Sequence, residues 1–406
     1  MLSRILFIIP VWILLDFYFF QAVRNAISTL PPSTRYFIHW SYWLLDLCLV
    51  LFILYLVLVN TKAIPSKYGY VLVGLVLLSI VPKLVALPFL LLEDIYRLGH
   101  FVIHYGKESS GQGRRRFISQ LIIGISAIPF SAIIYGMLKG KYDYKVHRHT
   151  LRFKDLPDAF DGFTITQLSD IHCGSFTDRD AVKRGIDMAN AQKSDLIVLT
   201  GDLVNNESIE LDEWQPLLAR LNAPMGVYSI LGNHDYGDYV QWPSVMAKET
   251  NLRRLKKMQS EMGFRLLLDE QVKLERNGQF INLVGIQNWG ARGFAQYGDL
   301  NKAMTKVEPN TFTVLLSHDP SHWEAQALKH PKHIHLALAG HTHGMQFGVE
   351  IPGFRWSPVQ YIYKQWAGIY RKGNQLLNVN RGFGFIGFSG RVGIWPEISV
   401  ITLRKG

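Results

Sequence analysis

At 406 residues and a formal charge of +11, the chain is long enough for more than one domain, and its positive excess is unevenly placed. Residues 1–150 hold 15 Lys+Arg against 6 Asp+Glu, which leaves 28 against 26 of the totals for residues 151–406. The surplus therefore reads as a membrane-surface and topology signal, and no stretch of the second part interleaves Lys/Arg with aromatics densely enough for a nucleic-acid face.

Four apolar stretches fill the first third, at about residues 5–20, 40–59, 71–92 and 117–138. The last three approach the ~20 residues that a bilayer helix needs. The first reaches residue 23 if Asp16 and Gln21 are tolerated; it lacks a small-residue cleavage site and is followed by three more spans, so it is not read as a signal peptide. Residues 1–138 are thus expected to form a four-helix, multi-pass transmembrane region, in the plasma membrane. Asp16, Asp46 and Lys83 fall inside the spans. Ionisable groups in hydrocarbon are costly, and an internal Asp–Lys contact between helices is the favoured reading over a proton or substrate path. Pro82, Pro88 and Pro129 are expected to kink their helices.

Four spans put the N-terminus and the large C-terminal part on one side, with Arg4, Lys62, Lys67, Lys139, Lys141, Lys145 and Arg148. The other side carries Arg24, Arg35, Arg97, Lys107 and Arg114–Arg116. The totals tie, and the compact Arg114–Arg116 cluster tips the reading towards an extracytoplasmic C-terminal domain.

Residues 139–159, polar and basic, read as a juxtamembrane linker or a first edge strand. From residue 160 to 406 short apolar runs alternate with helix-like polar ones. The runs lie at 163–168, 196–200, 227–231, 281–286, 312–317, 334–339, 376–379 and 398–403, with helical patterns at 181–191 and 252–262. This spacing predicts an α/β domain of packed sheet flanked by helices. The two cysteines, Cys48 in an apolar run and Cys173, are not expected to pair.

Five of the runs end in groups able to bind metal: Asp170-Ile171-His172, Gly201-Asp202, Gly232-Asn233-His234-Asp235, His318-Asp319 and Gly340-His341-Thr342-His343-Gly344. One Asp or His at a strand end is usually a cap or turn residue, but five in series are hard to explain that way. Open α/β sheets bind ligands at the carboxyl ends of their strands, so these ends can converge. Mixed Asp, Asn and His suit first-row ions such as Mn, Fe or Zn. Two such divalent or trivalent ions ~3.5–4 Å apart activate water and clamp a phosphoryl oxygen.

Asp-x-His, Gly-Asp, Gly-Asn-His-Asp, His and Gly-His-Thr-His, in that order, resemble the calcineurin-like metallophosphoesterases, most of all their bacterial membrane-associated branch. The resemblance covers about residues 160–405. It implies a two-sheet sandwich flanked by helices with a dinuclear site at the sheet edges. One ion would be held by Asp170, His172, Asp202 and His343, and the other by Asp202, Asn233, His318 and His341, with Asp202 bridging. A metal-bridging hydroxide would attack phosphorus in line, and His234 would contact phosphate and protonate the leaving oxygen. Many relatives pair that histidine with an Asp three residues after the bridging one; here the position is Asn205, whose neutral amide cannot raise a histidine pKa as a carboxylate would. Asp235 is the remaining source of charge.

Arg381, in Asn380-Arg381-Gly382, is a candidate phosphate contact because a guanidinium matches phosphate geometry, and Asn205 is a second candidate on the substrate side. Cys173, His322, His330, His333 and His335 are read as packing or hydrogen-bonded residues. Aromatics after the last motif (Phe347, Phe354, Trp356, Tyr361, Tyr363, Trp366 and Tyr370), joined by Phe383, Phe385, Phe388 and Trp395, are either sheet core or an apolar rim facing the bilayer. The reading is a membrane-anchored, metal-dependent phosphoester hydrolase acting on a phosphoester substrate, a lipid-linked one being the candidate, with membrane lipid as its surroundings and no nucleic-acid partner. Its rivals are a pyrophosphatase of a nucleotide-activated acylated sugar, a non-catalytic scaffold, and a transporter using Asp16, Asp46 and Lys83.

Overall fold

The apolar stretches of the first third carry helices: α1 (Leu2–Ala26), α2 (Pro32–Leu58), α3 (Ser66–Ile103) and α4 (Gln112–Leu138). The computed structural model describes residues 2–58, 66–103 and 111–406, so Lys62 and Lys107 of the topology count lie outside the described residues. Among those described, Tyr68–Ile103 and Gln112–Leu138 are long and apolar enough to cross a bilayer; α1 and α2 are helices of 25 and 27 residues.

The ionisable groups of these helices meet one another. The buried Lys83 ammonium pairs with Asp16, lies 3.5 Å from Asp46 and donates to Ser79 Oγ at 2.8 Å. Tyr42 donates to Asp16 Oδ1 at 2.6 Å, and Trp12 Nε1 to Asp46 Oδ1 at 3.1 Å. An apolar surround makes each charge costly alone, so this network ties α1, α2 and α3 to one another.

The chain divides into two units, Met1–Met137 and Leu138–Gly406. In the second, the strands are β1 (Lys145–Phe153), β2 (Thr164–Leu168), β3 (Leu196–Leu199), β4 (Val227–Ser229), β5 (Phe264–Leu266), β6 (Glu270–Arg276), β7 (Gln279–Gly285), β8 (Thr313–Leu316), β9 (Leu336–Ala339), β10 (Val349–Ile351), β11 (Phe354–Trp356), β12 (Gly368–Lys372), β13 (Gln375–Val379) and β14 (Glu397–Lys405). One six-stranded sheet has the order β1-β14-β2-β3-β4-β5, the other β12-β13-β9-β8-β7-β6, and β10-β11 form a separate hairpin. This is the two-sheet sandwich that the resemblance implies.

Alternation along the strands builds its layers. Ile165, Val198, Val314, Leu316, Leu338 and Ile401 fill the space between the sheets. Ile197 and Leu199 turn to the opposite face, under α5 (Arg179–Asn190) and α6 (Val245–Glu261), where Val182, Ile186, Leu255 and Met258 cover them. Leu315 and Ala337 turn away on the other sheet, towards Leu300, Ala303 and Trp323. Each fully buried large aliphatic side chain here contributes about 1.5–3 kcal/mol. Side-chain caps start both helices: Asp178 accepts from Ala181 N and Ser244 from Ala247 N.

The segment 139–159 is not a free linker. Its residues 145–153 pair in parallel with β14 from Lys145↔Glu397 to Phe153↔Lys405, and Leu151 and Phe153 are buried in the sandwich. Arg148 and Arg152 alternate with the buried side and Lys145 is exposed at the strand's start, which hides the strand in a count of charges.

Candidate metal centre

Strands β2, β3 and β4 run parallel side by side in one sheet, and β8 and β9 do so in the other. Parallel pairing brings their carboxyl ends to common edges, which is why five motifs far apart in sequence converge. The turns after these strands are strained. Asp170, His172, Asp202, His341 and His343 all have left-handed φ, between 50° and 72°. A non-glycine residue there costs on the order of 1–3 kcal/mol and persists only where its surroundings hold it. The glycines act by close approach: a Cβ on Gly340 would overlap Ser169 Oγ and Asp170 Oδ2, and one on Gly232 would overlap Asp202 Oδ1. The histidines make the turn; Gly340 makes the room.

Two groups of electron-pair donors result. In the first, His172 Nε2 and His343 Nε2 face each other at 3.1 Å, and His343 Nε2 is 3.2 Å from Asp170 Oδ1. In the second, His318 Nε2 is 3.1 Å from Asn233 Oδ1 and 3.3 Å from His341 Nδ1, which is 2.9 Å from Asn233 Oδ1. Asp202 Oδ2 lies between the groups, 3.1 Å from His318 Nε2 and 3.6 Å from His172 Nε2. Asp170, His172, Asp202, Asn233, His318 and His343 are all buried. Such a gathering of lone pairs fits cations: the contacts match donors bound at about 2 Å to a common ion, and Asp170, His172 and His343, like Asp202, His318 and His341, are grouped tightly enough to hold one.

The outward-facing nitrogens are oriented by oxygens. His318 Nδ1 donates to Thr200 O at 2.7 Å, His172 Nδ1 lies 3.1 Å from Asn205 Oδ1, and His341 Nε2 hydrogen-bonds the Tyr363 hydroxyl at 2.8 Å. Tyr239 accepts from Asn233 Nδ2 at 2.8 Å, which turns the amide oxygen inward. Burial opposes the carboxylate charges, yet His343 beside Asp170 and His318 beside Asp202 hold both below the usual range. Burial likewise disfavours a charged His318, but Asp202 and Asp170 lift it to about 10.

His234 stands apart from this buried set. It is partly exposed, its ring 5.0 Å from that of His172 and 4.6 Å from that of Tyr239. Its Nδ1 donates to the backbone carbonyl of Asn205 at 2.7 Å, so Nε2 is left for a ligand. The Asn205 side chain is not on the substrate side: it is buried behind His172, bonded also to Ser175 Oγ at 3.1 Å. Asp235 supplies no charge to His234 either. Its carboxylate accepts from the backbone of Asp202, Leu203 and Gly232 at 2.8–2.9 Å and pins the Asp202 turn.

Arg381 is not available to a phosphate. Its guanidinium is buried and saturated by two carboxylates: Glu397, and Glu350 at 3.0 Å from Nε. Burial opposes the Glu397 charge, but Arg381 holds its pKa at about 2. Arg381→Ala is expected to cost about 3–5 kcal/mol near neutral pH, because it strands a buried carboxylate. A depressed pKa stabilises above the ordinary carboxyl range and is lost as pH falls through the folded value. The gap between wild type and variant in chemical denaturation should therefore narrow between about pH 5 and 2; a constant gap would refute the assignment.

Three further residues stand close to the centre without having been assigned a role there by the motifs. Asp319 is buried with Oδ2 3.7 Å from His341 Nε2. Tyr363 supports His341 from the aromatic segment. Arg391, fully buried, donates to the carbonyls of Arg381 and Gly384 and lies 3.3 Å from His343 Nδ1; burial brings its pKa down to about 9 against the pull of Asp170 and Glu397. Asp319 follows His318 in its motif and Tyr363 belongs to the aromatic segment, whereas Arg391 carries no sequence signal. His322 and His335 are structural, lowered by burial to about 4, and Cys173 is a buried core residue. Of the aromatic rim, Trp366, Phe383, Phe385 and Phe388 are buried, whereas Phe354 and Tyr361 are exposed.

Residues 163–345 match the calcineurin-like phosphoesterase family model, and residues 3–141 match one described as a probable calcineurin-like phosphoesterase, transmembrane domain. The chain is 31% identical to an uncharacterized metallophosphoesterase, YkuE of Bacillus subtilis, over 68% of this chain and 95% of that protein. It is 28% identical to a transmembrane protein with metallophosphoesterase domain from Danio rerio, over 73% of this chain and 64% of that one. It is 26% identical to the UDP-2,3-diacylglucosamine pyrophosphatase LpxG of Chlamydia muridarum, over 55% and 78%. Among solved structures, a phosphopantetheinyl hydrolase (PptH) from Mycobacterium tuberculosis matches over 54% of this chain and 96% of its own, at 14% identity and a TM-score of 0.32, too low to bear on activity.

Proposed function

This chain belongs to the calcineurin-like phosphoesterases and carries a transmembrane domain matched within that family, and from that premise we propose a membrane-anchored hydrolase that works with two adjacent cations. The observation that carries the reading is the pair of donor groups meeting at one carboxylate, Asp202. Asp170, His172, Asp202 and His343 would hold one ion; Asp202, Asn233, His318 and His341 would hold the other. When bound, such a pair activates water and neutralises charge on the phosphoryl oxygens.

The chain's own residues do the rest. His234, fixed by the Asn205 carbonyl, presents Nε2 to the open side, where it hydrogen-bonds a phosphoryl oxygen or hands a proton to the leaving oxygen. Asp235 keeps the Asp202 turn in place. The complete donor set speaks against a scaffold that has lost its chemistry, and the Lys83 network, engaged with Asp16 and Asp46, supports a structural role over transport.

For the substrate we propose the phosphoester or pyrophosphate bond of a lipid-linked molecule, supported by the membrane domain and by likeness to a diacylglucosamine pyrophosphatase. The full chain in detergent, analysed for metal and then offered a phosphomonoester, a phosphodiester and a lipid pyrophosphate, should contain two ions and cleave the last most efficiently. A chain that stays metal-free in metal-replete buffer would overturn the reading. We further propose four spans with the phosphoesterase unit outside the cytoplasm, as the Arg114–Arg116 cluster suggests. A Cβ on Gly113 would meet open space, so Gly113→Cys should react with a membrane-impermeant reagent from the cytoplasmic face; reaction only from the other face reverses the topology.

A further inference from the structure

In the hairpin β10–β11 the charged face contacts the domain, with Arg355 still exposed, and the apolar face is largely uncovered. Cross-strand partners in an antiparallel pair share a face, so Val349↔Trp356 and Ile351↔Phe354 form one side and Glu350↔Arg355 the other. The charged side is anchored on the domain: Glu350 accepts from Arg381, and Arg355 donates to Ala367 O at 2.7 Å with its guanidinium 4.9 Å from the Trp366 ring centre. The apolar side is left uncovered, with Ile351 58% and Phe354 54% exposed. A water-facing strand pair normally shows the reverse pattern.

The exposure is concentrated here. Within residues 139–406, six of eleven exposed large hydrophobic residues lie between Met345 and Ile362, among them Tyr361 at 76%. A patch of this kind on a soluble unit marks an interaction surface. The segment also touches the candidate centre at both ends. Ser357 Oγ donates to the carbonyl of Gly344, next to His343, and the chain then runs to Tyr363, whose hydroxyl meets His341.

We propose that this hairpin and the turn after it, residues 345–362, insert into the lipid interface of the membrane that the chain's own helices cross. The occupant follows from the covalent connection. α4 ends at Leu138, and Lys141 and Tyr142 already bond to Ser389 and Thr177 of the phosphoesterase unit, so only a short tether separates that unit from the bilayer. Trp356 and Tyr361 are the residue types that favour the interface, and exposed Lys364 suits anionic headgroups. Insertion brings the mouth beside His341 and His343 to the level at which a lipid-linked phosphoester lies. Only this last step rests on the function proposed above.

The test separates the two. In full-length protein with Cys48→Ala (Cys173 is buried), an environment-sensitive fluorophore is placed on Ile351→Cys, and for comparison on Ile209→Cys, exposed on the same unit. In vesicles of phosphatidylethanolamine and phosphatidylglycerol, nitroxide-labelled lipid should quench position 351 several-fold more than position 209. Quenching at 351 by aqueous iodide alone, or quenching that rises with protein density and so reports contact between copies, overturns the proposal. An Ile351→Ser/Phe354→Ser variant should keep hydrolysis of a water-soluble pyrophosphate diester and lose about tenfold or more on a vesicle-embedded lipid pyrophosphate, from the lost burial of two side chains. Equal rates on both substrates also overturn it. If the wild type cleaves neither, the hydrolase reading fails while the quenching still reports insertion.

Discussion

Asp202→Ala is expected to empty both cation positions together and to lower kcat/KM by roughly a thousandfold or more, beyond the ~10²–10³ that a single preorganised electrostatic group supplies. Its Oδ2 lies between His172 and His318, at 3.6 and 3.1 Å, and its Oδ1 accepts from the His234 amide at 2.8 Å. Removing it leaves Asp170 as the one carboxylate among the proposed ligands, with no bridging anion to offset two cations. The measurement is metal content per chain alongside steady-state kinetics, with near-ultraviolet dichroism confirming a folded unit. Asn205→Ala gives the scale: it removes the oxygen that orients His172, together with the link to Ser175, and changes of that kind cost about 10–100-fold in metal affinity or activity. Two retained ions and near-normal turnover in Asp202→Ala would refute the proposed centre.

The second large effect belongs to His234→Gln, which should lower kcat by about 10²–10³-fold while metal content stays unchanged. His234 is in neither donor group, and its ring lies on the open side of the buried set. Its Nδ1 is committed to a backbone carbonyl, which no side-chain substitution at Asn205 removes. The expected signature is therefore a kcat loss concentrated in His234→Gln, greatest for substrates with a poor leaving group. A loss of metal as large as that of Asp202→Ala would make His234 a ligand and refute its separate role.

The convergence of the centre was legible because strand-end Asp, Asn and His residues announce themselves: an apolar run followed by ligating side chains can be read along the chain. What lay across the chain was not. Arg381 looks free in Asn380-Arg381-Gly382, and only the folded hairpin brings Glu350 to it while β14 brings Glu397. Asn205 was read towards the substrate from its motif position; in the fold its side chain turns to His172 and its carbonyl to His234. Arg391 sits in a glycine-rich stretch with no periodicity or motif, and its partners are carbonyl oxygens, which no side-chain pattern encodes. Strand β1 was obscured because its outer residues are basic, and the buried Leu151 and Phe153 come only at its end.

The place of β14 also bears on how the protein is made. It lies between β1 and β2, antiparallel to β2 and parallel to β1, although both partners leave the ribosome long before residues 397–405. Until then two edges of that sheet wait unpaired beside a membrane in which the apolar helices have had time to insert. Non-local pairing of this kind is slow and exposes bare strand edges to aggregation. Synthesis stalled before Glu397 would thus release a chain with its helices in place and its catalytic sheet unfinished, a ready substrate for membrane quality-control proteases.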